Sequence, residues 1–156
     1  MSHTPRSPAR RVLRGVLIVI AVQVAALAAG RALARRLDTG EVDDDEIRRT
    51  ALMNGVDIEL TSQSFRHGRV DLGMGGVNID LTRAALAPEG ATIEVHGAMG
   101  GLNVQVPEDW RVTAESDSRT TGLNVTASPA DQLSADAPHL HVVSHAKMSG
   151  VNVEAL

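Results

Sequence analysis

Hydrophobic residues fall in two rhythms along the chain. Between Val16 and Gly30 only Gln23 is polar, so every face of that stretch is apolar. From Met53 onward apolar and polar residues alternate in short runs instead. In "MGGLNVQVPEDW" (Met99 to Trp110), Leu102, Val104 and Val106 fall on one side and Asn103 and Gln105 on the other, the period of a strand with one buried face. The first rhythm predicts a helix. Taken from Val12 to Ala34 it has about the 20 residues a bilayer-spanning helix needs, with Arg14 and Arg31 near its ends, where long side chains reach headgroups.

The alternating part repeats itself. "MNGVDIEL", "MGGVNIDL", "MGGLNVQV", "TTGLNVTA" and "MSGVNVEA" align on Gly55, Gly76, Gly101, Gly122 and Gly150, at spacings of 21, 25, 21 and 28 residues. After each glycine comes Val or Leu, then Asn or Asp, then Ile or Val, a tetrad expected about 0.03 times by chance in a chain of this length. Met53, Met74, Met99 and Met148 each stand two residues before a repeat glycine, and Thr120 takes that place in the fourth copy. The two longer intervals contain the insertions "APEG" (Ala87 to Gly90) and "SPADQLSADAP" (Ser128 to Pro138).

Each copy predicts a tight turn, made by its glycine, that enters a strand. A second strand precedes the turn, as in "ATIEVHG" and "HLHVVSH". One such unit cannot bury its own apolar face, so neighbours must stack. Stacking sets like on like: the methionines form a column inside the core, and Asp57, Asn78, Asn103, Asn124 and Asn152 form a polar ladder. The expected fold is an all-β repeat domain, a parallel β-helix or toastrack-like stack of short strands, behind one N-terminal transmembrane α-helix. An antiparallel sandwich is the alternative. "DDDEIRRTALM" (Asp43 to Met53) suits either a short helix closing the first coil or the first pair of strands.

Charge divides the chain the same way. All seven arginines before Asp38 stand without an acid among them, whereas from Asp38 onward 19 acids face 8 bases, a net charge of −11. Such a surface repels nucleic acid. The expected organisation is a basic cytoplasmic tail (1–11), a transmembrane helix (12–34), a charged linker (35–46) and the β-repeat domain (47–156). Four arginines precede the apolar stretch from Val16 to Gly30 and three follow it, a bias toward a cytoplasmic N-terminus and an extracytoplasmic domain in the cell membrane. A cleaved signal peptide is the competing reading; an uncleaved anchor is favoured because the apolar stretch is long and an arginine interrupts the candidate cleavage region.

Candidate chemistry is sparse. Without cysteine there is no disulfide, thiolate metal site or cysteine nucleophile. The methionines could be soft metal ligands, but their fixed register in a repeat favours packing. His139, His141 and His145 share a strand face; at about 13 Å, His141 and His145 are too far apart for one ion, which leaves only His139 and His141 as a pair. There is no nucleophile elbow and no phosphate-cradling loop, and the carboxylates are scattered. The expectation is no enzyme, no cofactor and no metal. Phe65 and Trp110 are the only aromatic residues, and Trp110 behind Pro107 is expected to plug the core.

"GGVNIDLTRAAL" and "GGLNVQVPEDWRV" resemble the LiaF-like C-terminal domain, the cell wall-active antibiotics response group related to the toastrack domains of bacterial envelope-stress proteins. There a Gly-Gly-apolar turn leads to a strand ending in Asp-Leu, and a second leads to Val-Pro and a tryptophan. Here these are Gly75-Gly76, Asp80-Leu81, Gly100-Gly101, Val106-Pro107 and Trp110, within a resemblance running from about Met53 to Leu156. Two features depart from it: Met replaces the usual Phe before the Gly-Gly pair, and one membrane helix replaces several. The resemblance implies a membrane-anchored, non-enzymatic module of the cell-envelope stress response that modulates a membrane sensor by protein contact. Its expected partners are the membrane, an envelope-stress sensor and, in a homo-oligomer, its own copies. The alternative is a structural β-solenoid that assembles end to end or binds cell-wall polysaccharide.

Overall fold

A computed structural model describes residues 8–117, 122–127 and 133–156. Helix α1 (Pro8–Leu37) is longer than the predicted span at both ends and closes with Arg35 and Arg36 in its last turn. Leu13, Leu17, Ile18 and Val22 are each more than half exposed. At these residues the helix has no protein to cover it, and its segment Leu13–Leu37 is long and apolar enough to cross a membrane.

Among the described residues eight strands follow: β1 (Glu46–Ala51), β2 (Gly55–Glu59), β3 (His67–Asp80), β4 (Ala91–Val106), β5 (Arg111–Ser116), β6 (Gly122–Thr126), β7 (His139–Ala146) and β8 (Ser149–Ala155). Every pairing between them is parallel, which overturns the antiparallel-sandwich alternative. Asp43 to Met53 begins no helix; it supplies β1. Strands β3 and β4 run unbroken through both parts of their copy, whereas the other copies split into β1 with β2, β5 with β6, and β7 with β8. Each copy is thus one bent rung. Its first half lies in a layer ordered β1-β3-β4-β7-β5, and its second half in a layer ordered β2-β3-β4-β8-β6.

The register aligns the repeat glycines: Gly55 with Gly76, Gly76 with Gly101, Gly101 with Gly150, and Gly150 with Gly122. The last copy is therefore inserted between the third and the fourth. The apolar positions stack as Val56-Val77-Leu102-Val151-Leu123 and Ile58-Ile79-Val104-Val153-Val125. From Val77 through Val151 and from Ile79 through Val153 these columns are almost fully buried. Complete burial of one such side chain stabilises the fold by ~1.5–3 kcal/mol. Phe65, Leu60, Leu81 and Trp110, from the connections between the strands, are buried in the same core.

The methionines do not join it. Met74 pairs with Met99, but Met53, Met74, Met99 and Met148 are 50, 54, 41 and 65% exposed, and the expected core column is wrong. The reason is a slip in the alternation at the bend. Before it Asp71 and His96 point outward, five residues ahead of the repeat glycine; after it Asn78 and Asn103 point outward, two residues behind. Positions three and two ahead of the glycine both fall on the convex corner. Thr120, the fourth copy's counterpart, lies outside the described residues, as do residues 1–7 of the predicted tail and 128–132 of the second insertion.

The glycines also differ from expectation. None of the five repeat glycines has a positive φ, and a Cβ on Gly101 would meet nothing nearer than Gly150 O at 3.9 Å. Their predecessors are the constrained ones: a Cβ on Gly100 would lie 2.3 Å from Gly75 O. Here the bend presses one rung's backbone against the next. At the first rung the exposed edge is covered: Thr39 pairs antiparallel with Arg48, Arg49 donates to Thr39 O and Gly40 O, and α1 packs on β1, burying Ala34 and Thr50. This shields strand groups that would otherwise invite edge pairing.

Candidate functional site

The outward face of the second layer is built from three columns. The repeat glycines form a strip without side chains. Beside it run Asp57, Asn78, Asn103, Asn152 and Asn124 in that spatial order. Asn78 donates to Asp57 Oδ1 at 2.5 Å, Asn152 to Asn103 Oδ1 at 2.7 Å, and Asn124 to Asn152 Oδ1 at 2.7 Å. Side-chain amides can do this because each carries both a donor and an acceptor. Glu59, Asp80, Gln105 and Glu154 make the outermost column, where Glu59 pairs with Arg83 and Asp80 caps Thr82.

Two shallow depressions follow these columns. One, of about 490 Å³, lies between the glycine strip and the asparagines of four stacked rungs, from Gly76 and Asn78 to Gly122 and Asn124; the other, of about 520 Å³, lies over Asp57, Glu59, Asp80 and Gln105. The first suits a flat surface lying along the ladder. The second is acidic and would disfavour an anionic ligand.

A second polar row crosses the first layer. The register sets Asp71 beside His96 and His96 beside His145. The two imidazoles stack with centroids 5.0 Å apart, His145 Nδ1 lies 2.8 Å from Asp117 Oδ2, and His96 Nε2 lies 3.2 Å from Glu94 Oε2. That hydrogen bond, more than the positive charges nearby, holds the Glu94 carboxyl below its usual range. Asp71 is engaged from its other side by Arg48 at 2.7 Å and Arg69 at 3.2 Å. This row is an ion-paired surface, not a cleft.

His139 and His141, the pair left open as metal ligands, both meet the Thr113 hydroxyl, at 2.9 and 2.7 Å. Burial, then the charges of Arg111 and His141, lower the His139 pKa. Among the described residues no group of three His, Asp or Glu could hold a metal ion. Asp45 accepts from the Ser64 hydroxyl at 2.6 Å and the Ser62 hydroxyl at 3.1 Å, and the Ser64 contact leads in lowering its pKa. Its backbone carbonyl also receives Arg66 N, so the cluster clamps the loop beneath β1. Pro107 accepts from Trp110 N through its carbonyl, and Trp110 is 3% exposed in the core.

The geometry is that of a stacked scaffold with outward polar columns. The family model described as cell wall-active antibiotics response LiaF, C-terminal, matches residues 54–147, more than half of the 156. The chain belongs to the LiaF-like C-terminal family. The LiaF-like segment takes in β2 through β7, with both Gly-Gly bends and Trp110. Membership associates the domain with the cell-envelope response to wall-active antibiotics. No curated protein and no solved structure matched the chain.

Sequence reasoning overlooked the histidine row of this LiaF-like domain, though a signal was present. Counting five back from each repeat glycine gives Thr50, Asp71, His96, Asp117 and His145. In chain order Asp117 would separate the two histidines; the inserted last rung brings them together instead.

Proposed function

We propose that the protein is a membrane-anchored, non-catalytic interaction module that modulates a membrane sensor of cell-envelope stress by direct contact. The match of residues 54–147 to the antibiotic-response family carries this reading, because it covers β2 through β7, the greater part of the stacked rungs. Helix α1, apolar and uncovered along most of its length, is the single-pass anchor. The arginine bias sets its N-terminus in the cytoplasm and the domain outside. The five rungs form a toastrack-like relative of the parallel β-helix, wound as coils except for the inserted last one. Such a scaffold offers a partner rigid, flat columns of polar groups, and the shared membrane raises its effective concentration near a sensor.

End-to-end filament growth would require both terminal rungs to be open. The pairing of Thr39 with Arg48 and the packing of α1 on β1 occupy one of them, which argues against that alternative. The proposal is tested by challenging cells that lack or re-express the chain with a wall-active antibiotic. Envelope-stress transcripts should change in threshold or amplitude with the chain present; identical responses would refute the regulatory role.

A further inference from the structure

The corner of the stack is the surface left without an explanation. Met53, Met74, Met99 and Met148 are all 41% exposed or more, one per rung on four successive rungs, a row about 14 Å long at the usual strand spacing. Monomeric soluble domains seldom line up large apolar side chains in water in this way. Three observations bear on what covers them.

The row starts at the membrane helix. Met53 and Asn54 line one crevice with Leu27, Gly30 and Arg31 of α1, so the first methionine lies at the level where the apolar stretch of the helix meets its first following arginine. The corner is also free of acid. From four residues ahead of each repeat glycine through the glycine itself, these four rungs carry a single charge, Lys147, although the chain from Asp38 onward has a net charge of −11. The acids sit elsewhere: Asp57, Glu59, Asp80 and Glu154 occupy the far halves of the rungs. Apolar residues flanked by Lys147, next to Met148 in the chain, and by Arg31, beside Met53, match a bilayer surface bearing anionic headgroups.

We propose that this corner is a second membrane contact: the methionine row beds into the lipid interface beside α1, laying the domain against the bilayer by its convex edge and turning the acidic columns away. Methionine suits the place, because its unbranched, polarisable side chain adapts to a disordered surface. The contact rests on the anchor reading of α1. It fixes which columns remain open to a protein partner, namely the asparagine ladder and the histidine row.

The chain has no native cysteine, so single nitroxide labels are unambiguous. The full chain is reconstituted in nanodiscs of zwitterionic lipid doped with phosphatidylglycerol. It carries one label at a time through Met74→Cys, Met99→Cys, Val22→Cys within the helix, or Glu154→Cys on the acidic side. Collision rates with oxygen, enriched in lipid, are compared with those of a water-soluble nickel chelate. Labels at 74 and 99 should show an oxygen-to-nickel ratio severalfold above that at 154, approaching that at 22. Ratios at 74 and 99 equal to that at 154, with 22 still in lipid, overturn the contact and leave the anchor standing. A label at 22 that is itself in water removes both. Shielding of 74 and 99 from both reagents means a protein surface, such as a second copy, covers the corner, which also overturns the proposal.

Discussion

Adjacent glycines in one Gly-Gly pair should respond oppositely to the same substitution. In Gly100→Ala the new Cβ would lie 2.3 Å from Gly75 O and 3.4 Å from Leu72 Cβ. A carbon and a carbonyl oxygen rest no closer than about 3.3 Å, so the two rungs must separate by about 1 Å. The obstacle is backbone held in a hydrogen-bonded register, not a side chain that can swing aside. Overpacking costs ~1–3 kcal/mol, and the upper end applies here. For a domain of this size ~3 kcal/mol lowers Tm by roughly 12–24 °C. In Gly101→Ala the Cβ enters open space 3.9 Å from its nearest neighbour, at a φ that alanine adopts readily. Restricting the unfolded chain should then stabilise the fold by ~0.4–1 kcal/mol. Trp110, the single tryptophan and buried in the core, reports unfolding of the domain by fluorescence while α1 stays in micelles. Equal melting temperatures for the two variants, or the reverse order, would refute the assignment of the first glycine to the inter-rung contact.

Two further outcomes follow from burial and from titration. Leu102→Ala, at a 2% exposed column position, should cost ~2–5 kcal/mol, whereas Met74→Ala at the corner should stay within ~0.5 kcal/mol in detergent; urea midpoints distinguish them, and a Met74→Ala loss as large as that of Leu102→Ala would return the methionines to the core. The lowered pKa of His139 means that, as pH falls through about 6.5, the unfolded chain takes up a proton before the folded one does. Stability should therefore decline on acidification from neutrality, and His139→Gln should flatten that slope; an unchanged slope would show that the ring is not desolvated as described.

Much of this was legible in the sequence. Five copies with a shared apolar-polar-apolar tetrad suffice to predict stacking and the asparagine ladder, and the run from Val16 to Gly30, apolar on every face, predicts the helix. The methionine error came from letting a residue's usual preference override its parity. Two positions ahead of the glycine and two behind it lie on the same side of an alternating strand, and Asn78 was already assigned to the outside. The glycine error was similar: the residue present in all five copies attracted the structural role, although Gly100 and Gly75, found only in the doubled copies, are the ones with no room for a Cβ. The rung order was not legible. All copies carry compatible inward residues, so the tetrads do not say whether Asn103 should meet Asn124 or Asn152; the choice depends on how the chain between β6 and β7 returns.

That choice is also the most direct test of the whole arrangement. In a chain without native cysteine, the double variants Asn103→Cys with Asn152→Cys and Asn103→Cys with Asn124→Cys are oxidised and mapped by mass spectrometry after proteolysis. Residues 103 and 152 are register partners, about 4.8 Å apart, whereas 103 and 124 lie two rungs apart at about 9.6 Å, beyond the roughly 4.4–6.8 Å that a disulfide spans between Cα atoms. The stack described here predicts a cross-link between 103 and 152 and none between 103 and 124. Efficient closure of 103 with 124 and failure of 103 with 152 would contradict it.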